Sequence, residues 1–270
     1  MSQRKFQFYI VPTPIGNISD ITLRAIEVLK EVDFIACEDT RTTQKLLNHY
    51  DIRTKCVSYH KYNERERVDF FLNELRNGKT IALVSDAGTP MICDPGNVIV
   101  DELRKENFAV TALPGASAVT TFLSQVPRGG EEFAFVGFIP RSEKQIKELA
   151  QRYAGLNTVF YDSPERILKT LDCIKEIRPT AKLALARELS KLFEEVVIGT
   201  AEEIINHFKE GIRGEIVCMI YAEENAELVD LEIKIKELKD KGFKAKEIAT
   251  IISTLFGLNK NEVYQTVINQ

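Results

Sequence analysis

A chain of 270 residues with 44% hydrophobic and 28% charged residues can bury a sizeable core in about two domains, and it holds no run of ~18 apolar residues able to cross a membrane. Its net charge of −4 excludes the basic overall signature of many nucleic-acid binders. Five scattered cysteines without C-x-x-C spacing exclude a disulfide framework and a zinc site, and His49, His60 and His207 lack metal-ligand spacing, so no metal is expected.

The opening Met1-Ser2-Gln3-Arg4-Lys5 leads into a strand-like run rather than a signal-peptide core, so a cytoplasmic protein without membrane contact is expected. Phe6 to Val11 reads as a strand entering Pro12-Thr13-Pro14-Ile15-Gly16-Asn17. A helix follows from Asp20-Ile21-Thr22 to about Glu31. The short strand Phe34 to Cys37 ends in Glu38-Asp39-Thr40-Arg41, and a helix spans about Thr42 to His49. After the strand Lys55 to Tyr59, a charged helix from Glu64 to Arg76 carries Val68, Phe71, Leu72 and Leu75 on one face. Thr80 to Val84 delivers the loop Ser85-Asp86-Ala87-Gly88-Thr89-Pro90, and Pro95 suits the first turn of a helix ending near Lys105. Phe108 to Leu113 then delivers Pro114-Gly115-Ala116-Ser117-Ala118.

Gln125 to Gly130 reads as a connector into a second unit. Its strands are Phe133 to Phe138, Asn157 to Tyr161, Lys182 to Ala186, Leu192 to Gly199 and Glu215 to Tyr221, with helices interspersed. Strand pairs joined by short loops predict a mixed sheet there. The tail predicts three short helices broken at Gly242 and Gly257, and Ala249, Ile252 and Leu255 suit core packing better than nucleic-acid contact. The expected division is an N-terminal α/β domain over 1–124, a second α/β domain over 125–224 and a helical region over 225–270.

Three strand–loop–helix units imply parallel strands whose carboxyl ends gather three loops, the place where open α/β sheets bind ligands. None is a Walker loop or a G-x-G-x-x-G fingerprint, and no G-x-S-x-G elbow is present. Instead Gly16, Gly88, Gly96 and Gly115 permit close approach to backbone, Thr89 and Ser117 supply hydroxyls, and Asp86 can accept from a ribose or an ammonium group. Tight turns in an α/β sheet would use the same residues, but three converging loops favour a ligand cleft.

The ordered motifs Val11 to Asn17, Glu38 to Arg41, Ser85 to Pro90 with Asp94-Pro95-Gly96, and Pro114 to Ala118 carry a resemblance. So do Tyr161 to Arg166, Ala186 to Lys191 with Glu194-Glu195, and Arg213-Gly214-Glu215. Together they resemble the small-subunit ribosomal RNA cytidine 2′-O-methyltransferase branch of the tetrapyrrole-methylase (class III methyltransferase) superfamily, over essentially the whole chain. The resemblance implies two α/β domains with S-adenosylmethionine in the cleft between them, and a homodimer. It also implies 2′-O-methylation of a cytidine in the decoding region, on an assembled small subunit. Carried onto this sequence, the cofactor residues are Pro12, Gly16, Asp86, Gly88, Thr89, Pro90, Pro114, Ser117, Ala118 and Gly214, and the substrate residues are Arg41 and Arg187. Cys93, Glu165 and Ser190 depart from the pattern, which commonly has Ser, His and Thr there.

A ribose hydroxyl benefits from a nearby proton acceptor. Glu38 and Asp39 are candidates, as is Lys191 if desolvation lowers its pKa; Arg41 either binds phosphate or pairs with the two acids. Between Arg41 and Arg67 basic residues interleave with Tyr50, Tyr59 and Tyr62, a composition that suits RNA or a solvated helix face. A small-molecule methyltransferase and a non-catalytic assembly factor remain the alternatives.

Overall fold

Runs of β-branched and apolar residues buried on both sides require helices above and below the sheet they form. In the computed structural model, which describes residues 6–223, 226–256 and 258–269, the first half meets this requirement. Five strands, β1 (Phe8–Ile10), β2 (Phe34–Cys37), β3 (Lys55–Ser58), β4 (Ile81–Val84) and β5 (Val110–Ala112), form a parallel sheet in the order β3-β2-β4-β1-β5. Helices α1 (Leu23–Glu31) and α2 (Thr40–His49) cover one face through Val28, Leu29, Leu46 and Leu47. Helices α3 (Glu64–Arg76) and α4 (Asn97–Lys105) cover the other through Phe71, Leu75, Ile99 and Leu103. Pro95 lies outside α4, whose cap is Gly96 at φ 139°. That conformation suits only glycine, so the helix starts later than the Pro95 signal predicts.

The second sheet is mixed, as predicted. Its strands are β6 (Phe133–Phe138), β7 (Asn157–Asp162), β8 (Lys182–Arg187), β9 (Glu195–Thr200) and β10 (Ile216–Ile220), in the order β6-β7-β10-β8-β9. Only the β6–β7 pair is parallel. Helices α6 (Glu143–Arg152), α7 (Ile167–Ile177) and α8 (Ala201–His207) bury one face around Phe160, Leu171 and Ile204. The other face is covered by α5 (Ala118–Leu123): Val119, Phe122 and Leu123 pack on Val159, Ala184 and Met219, with Ile15 of the first loop beside them. Thus α5 follows the last strand of the first sheet yet buries its side chains against the second. Apolar packing, rather than a bare linker, couples the two sheets at the level of the loops.

Three helices follow, α9 (Ala226–Asp240), α10 (Ala245–Phe256) and α11 (Lys260–Asn269), with their own core around Ile235, Ile248 and Ile252. Ala249 and Ile252 are buried as expected, but Leu255 is 72% exposed, one helical position too far round from the core stripe. Gly257, read as a break, and the opening Met1 to Lys5 lie outside the described residues. Among the described residues no helix is long and apolar enough to cross a membrane, and no cluster of His, Cys, Asp and Glu suits a metal ion.

Candidate active site

The loops that leave β1, β4 and β5 first bind one another. Thr13 and Gly88 exchange two backbone hydrogen bonds of 2.9 Å, Thr13 Oγ1 donates to the Ser85 carbonyl at 3.0 Å, and Thr89 Oγ1 donates to the Ala116 carbonyl at 2.9 Å. The Gly88 N–H and the Thr89 hydroxyl proton are therefore spent inside the protein. What the loops present outward is the exposed Asp86 side chain, the Ser117 hydroxyl, which makes no cap bond to α5, and the apolar edge of Ile15.

These groups line one wall of a cleft of about 420 Å³; the facing wall comes from the second sheet, by way of Phe138, Tyr161 to Pro164, and Gly214 to Val217. Of the ten residues expected to bind the cofactor, Asp86, Gly88, Thr89, Ser117, Ala118 and Gly214 line this cleft; Pro12, Gly16, Pro90 and Pro114 do not. The reason is visible at the glycines. A Cβ on Gly16 would fall 2.5 Å from Lys191 Cγ, one on Gly115 2.6 Å from Pro12 Cβ, and one on Gly96 2.5 Å from Met91 Cγ. At these three glycines the missing side chain makes room for neighbouring protein. Of the four loop glycines only Gly88, at φ 77°, stands at the cleft itself.

Next to the cleft, which it reaches through Glu215, lies a charged clasp between β8, β9 and β10. Glu188 and Ser190 adopt φ of 53° and 62° in the turn after β8, a left-handed conformation costly for side-chain-bearing residues. The turn is held by Glu188 Oε1, which accepts from the Glu215 N–H at 3.1 Å and from Lys191 Nζ at 2.9 Å. Lys191 also reaches Glu215 Oε2 at 3.1 Å, and Ser190 Oγ accepts from the Asn17 N–H at 3.1 Å, which pins the turn to the first loop. Burial pulls the Lys191 pKa down, but its two carboxylate partners outweigh burial and the net shift is upward. The lysine base expected from sequence if desolvation lowered its pKa is thus corrected to an ion-paired cation that joins the turn after β8 to the residue before β10.

Glu38 and Asp39, adjacent in sequence, sit in opposite environments. Asp39 caps α2, accepting from the Arg41 N–H at 2.8 Å, and pairs with the Arg41 guanidinium at 2.7 Å. Those hydrogen bonds hold its carboxyl down to about 2. Its own N–H donates to Asp86 Oδ1 at 3.1 Å. Asp39 is therefore a capping and pairing residue, and 87% of the Arg41 side chain remains exposed. Glu38 is half-buried; burial first, then the negative charges of Asp86 and Asp94, push its pKa up, against His60. Asp94, a cleft residue that sequence reasoning quoted but did not assign, is also raised, by burial foremost and by Asp86, against a hydrogen bond from Ser85. Asp94 lines the cleft and Glu38 does not, but Glu38 lies within electrostatic reach of the lining acids Asp86 and Asp94, and a raised carboxylate so placed suits a proton acceptor.

Arg187 lies away from the cleft lining, in an ion pair with Glu195 at 2.7 Å, and Glu195 also contacts His207 at 2.7 Å. The interleaved tyrosines separate as well. Tyr59 is buried with its hydroxyl donating to Glu64, Tyr50 donates to the Ile18 carbonyl, and only Tyr62 is free in solvent at 95% exposure. Cys93 is exposed on the cleft wall, close to Gly137. Phe138 and Tyr161 form an aromatic wall, with ring centroids 5.5 Å apart; Tyr161 opens one of the motifs quoted above, whereas Phe138 belongs to none. The only local signal for it is Gly137, at φ 71°, beside a register shift in β6.

Two coupled α/β units with a cleft at loop-bearing strand ends define a class, and comparison with known proteins agrees. Residues 7–205 match the family model for Tetrapyrrole (Corrin/Porphyrin) Methylases. A relative named ribosomal RNA small subunit methyltransferase I, from Halalkalibacterium halodurans, is 41% identical, covering 96% of this chain and 94% of its own. A relative of the same name from Mycoplasmopsis pulmonis is 40% identical over 81% of this chain and 99% of its own length. Among solved structures, a uroporphyrin-III C-methyltransferase from Thermus thermophilus, complexed with S-adenosylhomocysteine, aligns with a TM-score of 0.56. It has 18% identity over 79% of this chain and 96% of that one, a likeness of fold. The chain belongs to the ribosomal RNA small subunit methyltransferase I family of tetrapyrrole methylases.

Proposed function

We propose that this protein methylates the 2′-hydroxyl of a cytidine ribose in the decoding region of small-subunit ribosomal RNA, with S-adenosylmethionine as donor, acting on an assembled subunit as a homodimer. The observation that carries the chemistry is Glu38, a half-buried carboxylate with raised pKa beside the cleft acids Asp86 and Asp94. The name borne by relatives about 40% identical over most of the chain supports the RNA substrate.

The donor set suits the cofactor. Carboxylates at Asp86 and Asp94 complement a positively charged sulfonium and ammonium, Ser117 offers a hydroxyl, and Ile15, Phe138 and Tyr161 offer apolar wall. When bound, the cofactor supplies an electrophilic methyl group that passes to the ribose oxygen by in-line displacement at carbon. Asp86, Ser117, Ala118 and Gly214 would hold and orient it, because alignment supplies much of the acceleration in such a step. Glu38 takes the proton of the 2′-hydroxyl as the oxygen attacks, and releases it to solvent afterwards. Asp39 keeps the Arg41 guanidinium at the rim, where it can meet a phosphate.

Incubating unmodified small subunits with labelled S-adenosylmethionine and mass-mapping the RNA tests the reading. Label on one cytidine ribose is expected. Label on a base, or on free tetrapyrroles and not RNA, overturns it.

A further inference from the structure

The C-terminal helices present a feature that the cleft does not use. At one end of their bundle α9 stops, Gly242 takes φ 86°, and α10 begins. The Gly242 N–H donates to the Lys239 carbonyl at 2.8 Å and the Phe243 N–H to the Leu238 carbonyl at 3.1 Å. The Lys244 N–H is capped by Glu247 Oε2 at 2.8 Å. This is a glycine-terminated helix end running directly into a capped helix start. The turn brings two lysine-bearing helix ends together in a fixed shape.

Lys236, Lys239, Lys241, Lys244 and Lys246 are all exposed around that turn, against Glu237, Asp240 and the capping Glu247. Among the described residues none of the five is in an ion pair. On the α/β body some exposed cations, such as Lys79, Lys105 and Lys169, are paired with Asp33, Asp101 and Glu143, while others, such as Lys45, Arg53 and Lys61, are in no ion pair among the described residues. Phe243 stands among these lysines with 42% of its surface exposed. A chain of net charge −4 repels RNA on average, so a set of unpaired lysines gathered on one rigid turn is a place where a polyanion gains from releasing its counterions.

We propose that the lysine-lined turn between α9 and α10 is an RNA phosphate-binding surface that anchors the substrate away from the cleft, with Phe243 lying against an exposed base or sugar. The proposal rests on the reading that the substrate is RNA. Phosphates meet the lysine ammonium groups, and an aromatic ring among them adds stacking without sequence preference.

The test uses the full chain with three changes, K239E/K241E/K244E, beside K239R/K241R/K244R and F243A. Filter binding to naked small-subunit RNA and to unmodified subunits is measured between 50 and 200 mM salt, with thermal melting of every variant as a check on folding. The charge-reversed variant is expected to lose on the order of tenfold in affinity at low salt, with the slope of log K against log salt falling by about 2. The arginine variant should retain binding, and F243A should weaken it several-fold at unchanged slope. An unchanged slope in the charge-reversed variant overturns the proposal. Loss on subunits but not on naked RNA also overturns it, by assigning the turn to a protein partner. If the wild-type protein transfers no label to RNA, the substrate reading fails, and the salt slopes still decide the surface.

Discussion

Neighbouring carboxylates acquire different chemistry from what surrounds them, and Glu38 and Asp39 are a pair of that kind. Asp39 is stabilised as an anion by Arg41 and by the first turn of α2, so it has little tendency to take a proton at any physiological pH. Glu38 is raised by burial and by like charges, which makes it the better proton acceptor. Its working form is the anion, so activity rises with pH through the raised pKa and is lost below it. The acid limb of kcat/KM should have unit slope and a midpoint above the ordinary glutamate value. Glu38→Gln should lose that limb and lower kcat by about 10²- to 10⁴-fold, while cofactor affinity from titration calorimetry stays near wild type. A wild-type-like rate in Glu38→Gln would remove this residue from the chemistry.

Among the elements, the turn between β8 and β9 depends most on single backbone positions. Gly214, at φ 95°, lies against Glu188, and a Cβ there would overlap the Glu188 side chain that clasps Lys191 and the Glu215 N–H. Gly214→Ala therefore combines backbone strain, on the order of 1–3 kcal/mol, with displacement of the clasp. Gly211 supplies the control, since it has φ 102° with nothing within 4 Å of the place a Cβ would take, so Gly211→Ala carries strain alone. Both variants should melt below wild type, but only Gly214→Ala should also weaken cofactor binding. Equal cofactor affinity in the two would show that the clasp does not shape the cleft. Sequence reasoning reached the strands, the three loops and the cleft because hydrophobic period and Gly/Pro punctuation are local signals. It could not see what the missing Cβ makes room for at Gly16 and Gly115, because that is decided by the segment packed against each, Lys191 and Pro12, which are distant in sequence from the loops they abut. Lys191 was misjudged for the same reason. Its charge state is set by Glu188 and Glu215, and nothing in the spacing of Glu215 announces that it returns to Lys191.

For the whole molecule, the distribution of cores predicts which part can be removed. The ten strands end at Ile220, and the four cores of the α/β body draw their buried residues from Phe8 to Ile220. The C-terminal helices bury Leu231, Ile235, Ile248, Ile252 and Val267 against one another in a separate cluster. Stability of such separately cored units is largely additive, so loss of one leaves the other folded. The ion pair of Arg178 with Glu223, at 2.6 Å, marks how far the chain must extend to keep the body intact. A chain ending at residue 224 should therefore keep the main thermal transition within a few degrees of wild type and bind S-adenosylmethionine within about twofold. With saturating subunits the shortened chain should still transfer methyl groups at a rate close to wild type, because Glu38 and the cleft are intact. Its KM for subunits should rise and the salt dependence of binding should flatten, because the lysines around Gly242 have gone. Loss of cofactor binding on truncation would mean that the helices complete the cleft. Retention of both KM and salt slope would mean that they take no part in holding RNA.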